Sequence, residues 1–396
     1  MSSQNSIKVG IDFGTVTTGK QWLLSQELFM KHVRLIQRSR GCLYLFIPFP
    51  GFSEVYQQWP GTFSGNRIVP SVVSFSTDNR AISWGHRADE QPQTYAWSKL
   101  LLDSNTSSGD FTDPVLCTIS NSSILRRPRG RQPEEVVSDF LRQIRFHILN
   151  HLATFENVQD SRQIEFIFAT PISWSVGARR SMERAIHRAE FGTCGDKWRT
   201  ISEPEAAATA IFRQMPGAFQ PGDGVIICDI GGGTVDVTAC QITEVQSLVL
   251  FEELATAVGG KCGSAAIDSR FYQLLSERLG IRIHELPQIY SGKGKALLSH
   301  LGRIKISFTG NEQTLESIPV RLNPKRRDHS LYDSRTQFIT PKPHHIKEVF
   351  DPVIDQIYKL ILHQIEAANQ KSGRCMISVS PAIDVPPNDP KEKCVP

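Results

Sequence analysis

The chain has 396 residues, more than one hydrophobic core usually serves, so two or three domains are expected. Apolar residues make up 40% and charged residues 21%, which excludes a disordered tail and a membrane-embedded chain. Set against each other, 44 Lys and Arg and 40 Asp and Glu leave +4, too weak a bias to call for nucleic acid or an anionic membrane surface.

The one tight basic cluster, Arg126, Arg127, Arg129 and Arg131, is interrupted by Pro128 and Gly130 and reads as a solvated loop. The longest dense apolar run, Cys42 to Phe49, falls well short of the ~20 residues of a spanning helix. The first six residues lack the basic segment and apolar core of a signal peptide, so the Asn-x-Ser triplets at Asn105 and Asn121 carry no weight. Eight cysteines lie far apart without a Cys-x-x-Cys, and reduced thiols in a cytoplasmic protein are the simplest reading. Cys228 and Cys240 are expected to act as small core residues.

In chain order, Ile7 to Phe13 reads as a strand running into a Gly-Thr turn, and residues 67–76 as another extended stretch. After Pro133, Glu134 and Glu135, the apolar positions Val137, Phe140, Leu141, Ile144, Ile148 and Leu152 follow helical spacing. Ile164 to Ala169 reads as a strand, followed by helices from Val176 to Ala189 and from Glu203 to Phe212. Val225 to Asp229 and Thr234 to Cys240 read as two strands across a glycine turn, and Ile346 to Ile361 as a long helix. Strands alternating with helices give an α/β fold. Two stretches stand apart. Lys20 to Tyr56 holds seven of the 34 aromatics without a sustained period, and 380–396 holds five prolines in 17 residues and reads as an unstructured tail.

The informative feature is an internal echo. Val9-Gly-Ile-Asp-Phe-Gly-Thr15 returns as Cys228-Asp-Ile-Gly-Gly-Gly-Thr234, an apolar strand ending in Asp-x-Gly and then Thr. Glycines let backbone N–H groups approach a phosphate closely, and Thr15 and Thr234 add hydroxyl donors. An aspartate beside a polyphosphate would be repelled unless a divalent cation lay between them, so Asp12 and Asp229 read as ligands of Mg²⁺ or of its water shell. The bland alternative is two β-hairpins whose Asp and Gly serve turn geometry alone; two copies, with Asp236 just beyond the second, favour function. Gly14 to Lys20 matches the start of a P-loop, but Gln21 stands where Ser or Thr would hold Mg²⁺, so that scheme is set aside.

On these residues the chain resembles the actin-like ATPase superfamily, and within it the nucleotide-binding domain of the seventy-kilodalton heat-shock proteins, in their divergent, fungal-expanded branch. Ser202-Glu-Pro-Glu-Ala-Ala-Ala208 resembles the connecting segment, and Val258-Gly-Gly-Lys-Cys-Gly-Ser264, with Asp268 after it, the next glycine element. The resemblance implies a two-lobed actin-like fold, each lobe on a ribonuclease-H-like core, with MgATP clamped between. Lobe I would cover 1–215, with a subdomain at about 61–134, and lobe II 216–379, with a subdomain at about 261–340. It implies that Gly14, Thr15, Val16, Gly231, Gly232, Gly233 and Thr234 bind the phosphates, and that Asp12 and Asp229 hold the metal through water. Asp229, Glu203, Asp12 and Thr234 would form the catalytic set, with Asp12, Asp229 and Glu203 holding the metal's water shell or orienting the attacking water. Gly259 and Gly260 would approach the nucleotide, and Lys305 would flank the adenosine, against the bland reading of a solvated surface lysine. Partners would be ATP or ADP, Mg²⁺ and protein clients or co-chaperones, acting on a cytoplasmic monomer with no nucleic acid or membrane involved.

Three departures bear on hydrolysis. The lysine expected at the γ-phosphate aligns with Asp89, leaving Arg87 or Lys99 as substitutes. The segment 20–56 interrupts the chain where the first hairpin should return, as an insertion or a gene-prediction artefact would. The final glycine-rich adenosine motif should follow Ser372 to Ser378, where the proline-rich tail stands instead. The readings left are an ATP-binding, ATP-hydrolysing heat-shock-like protein, a non-catalytic nucleotide-binding scaffold, and a sugar-kinase-like phosphotransferase of the same superfold.

Overall fold

The structure is a computed structural model and describes residues 7–15, 43–46, 53–55, 59–61, 69–76, 80–90, 94–103, 111–120, 130–154, 164–214, 219–245, 249–287, 293–310 and 314–372. Val16, Arg126, Arg127, Arg129, Asn105, Asn121, the expected motif after Ser372 and the tail 380–396 lie outside the described residues. The elements run β1 (Ile7–Asp12), β2 (Leu43–Phe46), β3 (Ser53–Val55), β4 (Val73–Phe75), β5 (Ala81–Trp84), a short tight helix (Gly85–Glu90), β6 (Thr94–Tyr95), α1 (Ser98–Leu101) and α2 (Pro114–Ser120). Then come α3 (Pro133–Leu152), β7 (Ile164–Thr170), α4 (Val176–Arg188), β8 (Lys197–Ser202), α5 (Glu203–Gln214), β9 (Gly224–Ile230), β10 (Val235–Val245) and β11 (Val249–Gly260). The last are α6 (Ser264–Leu279), α7 (Lys293–Ser307), β12 (Ile318–Pro319), β13 (Tyr332–Asp333), β14 (Phe338–Ile339) and α8 (Pro343–Ser372). This is an α/β protein.

A five-stranded mixed sheet of order β3-β2-β1-β7-β8 organises the first half. β1 pairs in parallel with β7 and antiparallel with β2, and β7 pairs in parallel with β8. Ile7, Val9 and Ile11 alternate into the core beside Phe166 and Phe168, as the period of two requires. The return strand is therefore Leu43–Phe46, inside the stretch that shows no period in the sequence.

Helix α3 begins at Pro133, and the Glu135 carboxylate accepts the Gln132 backbone N–H at 2.9 Å. Its stripe of Val136, Val137, Phe140, Leu141, Ile144, Ile148 and Leu152 is buried. Ser175 caps α4 by accepting the Ala178 N–H at 3.1 Å. These helices join β1 and β7 in one apolar cluster.

The second half is built on the antiparallel meander β11-β10-β9. Its β9–β10 turn is tight, with Ile230 opposite Val235. α8 packs on β10 and β11 through Val353, Ile357, Leu360 and Ile361. Cys228 and Cys240 are buried, in accord with their expected core role. The largest cluster also takes in Trp97, Leu100 and Leu101 around α1, and Leu116 and Ile119 of α2. The segment between Trp97 and Ser120 thus joins the two halves.

Candidate active site

Asp12 is the last residue of β1, in register with Ala169 of β7. The chain then turns through Phe13 and Gly14 to Thr15, which is buried. Asp229 sits near the end of β9, opposite Asp236 of β10. Between those strands the Gly231 N–H donates to the Thr234 carbonyl at 2.9 Å, closing the second glycine turn.

The two turns meet. A Cβ on Gly233 would stand 2.6 Å from Thr15 Oγ1 and 2.7 Å from Leu100 Cδ2, so only glycine allows this approach. Gly231, Gly232 and Gly233 are further fixed from behind. Their carbonyls accept N–H groups of Ser264 (3.1 Å), Ala265 (2.7 Å) and Gly263 (3.3 Å) at the start of α6. These bonds occupy the opening donors of that helix.

Lys99, on α1, is 4% exposed and donates to Glu203 Oε1 at 2.6 Å. Its ammonium also lies 5.5 Å from the Trp174 ring centroid. Burial works against its charge, but Glu203, Asp12 and Asp229 outweigh it and raise its pKa above the usual lysine value. Burial, then the charges of Glu203, Asp12 and Asp236, hold the Asp229 carboxyl well above the carboxylate range, with Lys99 opposing. Asp236, fully buried, is pushed up to about 7 by burial and then by Glu203, although its Oδ1 accepts the Ile172 and Ser173 N–H groups, both at 3.0 Å.

The structure separates the two cations that the sequence leaves as substitutes for the aligned Asp89. Arg87 is exposed on the tight helix Gly85–Glu90, and the Asp89 side chain lies outside the described residues. The lysine beside the carboxylates is Lys99. Its signal in the sequence is a single charge within Ala96-Trp-Ser-Lys-Leu-Leu-Leu102, a window too apolar for a surface lysine.

Gly259 and Gly260 face protein. A Cβ on Gly259 would lie 2.4 Å from Asp236 Oδ1, and one on Gly260 2.2 Å from the Phe111 carbonyl oxygen. Lys305 is not a solvated surface residue. It is 4% exposed and donates to Asp268 Oδ1 at 2.6 Å and to Ser264 Oγ at 2.9 Å.

The donor set fits MgATP. Four carboxylates, those of Asp12, Glu203, Asp229 and Asp236, interact electrostatically around one lysine. That surplus of negative charge would repel a bare polyphosphate and suits one accompanied by a hard divalent cation with oxygen ligands. Among the described residues no three His, Cys, Asp or Glu side chains gather closely enough to hold a metal by themselves. Mg²⁺ characteristically keeps several waters, so carboxylates placed for its hydration shell are compatible with it.

Among the described residues no helix is long and apolar enough to cross a membrane. No protein-family profile matches the chain. It is 24% identical over 280 residues to the Chaperone protein HscA homolog of Laribacter hongkongensis (strain HLHK9), an alignment covering 68% of this chain and 40% of that protein. The chain therefore spans well under two thirds of that relative's length and is similar, over most of its own length, to part of a chaperone.

Proposed function

We propose that the chain binds MgATP and hydrolyses it, as a two-lobed actin-like ATPase of the divergent, fungal-type heat-shock branch corresponding to that family's nucleotide-binding region. The observation that carries this reading is Lys99, buried against Glu203 and raised by Asp12 and Asp229, where the two glycine turns meet. The mixed sheet around β1 and the likeness to a chaperone support the fold assignment.

In this reading the backbone of Gly14 and Gly231 to Gly233, with the Thr15 and Thr234 hydroxyls, donates to the phosphates. Asp12 and Asp229 hold metal-bound water. Mg²⁺, when bound, neutralises charge on the phosphate oxygens. Lys99 supplies a fixed cation where negative charge develops, and a preorganised donor of this kind is worth roughly 3–4 kcal/mol of barrier. Glu203, oriented by Lys99, directs the attacking water, and Asp229 accepts its proton. Lobes at 1–215 and 216–379 close around the nucleotide, and that movement is the output to clients or co-chaperones. We assign the protein to the cytoplasm as a monomer.

The test is a calorimetric titration of the full chain with ATP, in Mg²⁺ and in chelator. Micromolar or tighter binding in Mg²⁺ is expected, with Asp229→Asn weakening it by about tenfold or more, equivalent to about 1.4 kcal/mol. A folded chain that produces no heat on titration overturns the reading and leaves a scaffold that has lost its nucleotide.

A further inference from the structure

We infer that Lys305 is a positioning residue for the second glycine turn, acting through Asp268 and the start of α6, rather than a direct ligand of the adenosine. The inference rests on reading that turn as a phosphate-binding element. Lys305 lies in the last turn of α7, and its ammonium is as buried as a core side chain. Three of its contacts converge on α6: Asp268 Oδ1 at 2.6 Å, Ser264 Oγ at 2.9 Å and the Ser264 carbonyl at 3.4 Å. Both members of the ion pair are inaccessible, with side chains 3% and 6% exposed. A cation enclosed in this way directs its charge into protein.

What Lys305 holds is the residue that holds the turn. Ser264, gripped through its hydroxyl, donates its backbone N–H to the Gly231 carbonyl at 3.1 Å. Its neighbours Gly263 and Ala265 donate to Gly233 and Gly232 at 3.3 and 2.7 Å. A Cβ on Gly263 would lie 2.5 Å from the Gly231 oxygen, so helix and turn are in backbone contact with little room to slide. The connection therefore runs from α7 through one buried ion pair to α6, and from three α6 amides to three consecutive glycine carbonyls. Burial raises the Asp268 carboxyl above its usual range while Lys305 opposes the shift.

Two measurements separate this role from adenosine contact. The first needs no nucleotide: amide hydrogen exchange of Gly263, Ser264 and Ala265 in Lys305→Met, Asp268→Asn and the double variant. The double variant removes both charges and so guards against simple unfolding by a lone buried ion. Exchange at these amides should quicken by about tenfold or more in all three, with β9 and β10 still protected. Unchanged exchange overturns the inference whether or not the chain binds ATP. The second compares affinity for MgATP, magnesium tripolyphosphate and adenosine. Positioning predicts that Lys305→Met and Asp268→Asn weaken the first two alike, leave adenosine unchanged, and do not add in the double variant. Equal losses for ATP and adenosine, confined to Lys305→Met, would instead make Lys305 an adenosine ligand. A parent chain that binds none of the three sinks the phosphate reading, while the exchange result still decides the Lys305 connection.

Discussion

At the smallest scale the proposed chemistry rests on Lys99, whose charge is favoured by Glu203, Asp12 and Asp229. Methionine would keep its stem and remove its charge, and Glu203 would then be buried without its partner. Lys99→Met is expected to lower ATP turnover by about 10²–10³-fold, the cost of deleting one preorganised charge donor. MgATP affinity should change much less than turnover. Stability should fall by about 3–5 kcal/mol, as when one member of a buried pair is removed. Phosphate-release assays and denaturant melts measure both, and a turnover equal to the parent's would take Lys99 out of the mechanism. Asp12 and Asp229 were legible in the sequence because each belongs to a local strand-Asp-x-Gly pattern. Lys99 was legible only as one of two substitutes for an aligned Asp89, because its partner Glu203 lies 104 positions away.

Among the elements, those defined by their own periodicity were readable and those defined by a neighbour were not. Helix α3 shows the first case: Pro133 and Glu135 mark its start, and every third or fourth residue is apolar. Strand β2 shows the second: it pairs with Lys8 to Ile11 from within a stretch whose sequence carries no sustained period. Gly260 is a further instance. Its place at the end of β11 reads as nucleotide contact in a motif, and the structure adds a packing role that the motif does not carry, since a Cβ there would lie 2.2 Å from the Phe111 carbonyl oxygen. Gly260→Ala should therefore destabilise the fold by about 1–3 kcal/mol, the usual penalty for overpacking. Gly302 in α7 has no atom within 4 Å of where a Cβ would stand. Gly302→Ala should stabilise by up to about 1 kcal/mol through helix propensity. Thermal melts of the two variants should shift in opposite directions, and a shift of the same sign would refute the packing argument at Gly260.

At the scale of the whole molecule, the two halves are joined through the segment from Trp97 to Ser120. Asp103 pairs with Lys261 at 3.1 Å and Asp113 with Arg270 at 2.8 Å, each with an aspartate side chain no more than 1% exposed. Asp113 also caps α2, accepting the Val115 and Leu116 N–H groups at 2.9 Å. Trp97, Leu100, Leu101, Leu116 and Ile119 lie in the same apolar cluster as α6 and α8, while the first half keeps a second cluster of its own around β1, β7, α3 and α4. The shared cluster and the two buried ion pairs couple the halves, so the whole chain should unfold in a single calorimetric transition. Two resolved transitions would show that the halves unfold independently.

The junction of α6 with the glycine turn also has an electronic side. Each carbonyl that accepts an α6 amide shares its peptide plane with the next residue's N–H, so Gly231, Gly232 and Gly233 are coupled to the donors of Gly232, Gly233 and Thr234. A peptide polarised at its oxygen becomes a stronger donor at its nitrogen, by about 10–30% per bond. The partial positive charge at the start of α6 is thus passed through three peptide planes to the opposite face of the turn. An anion there would feel the helix dipole without touching the helix.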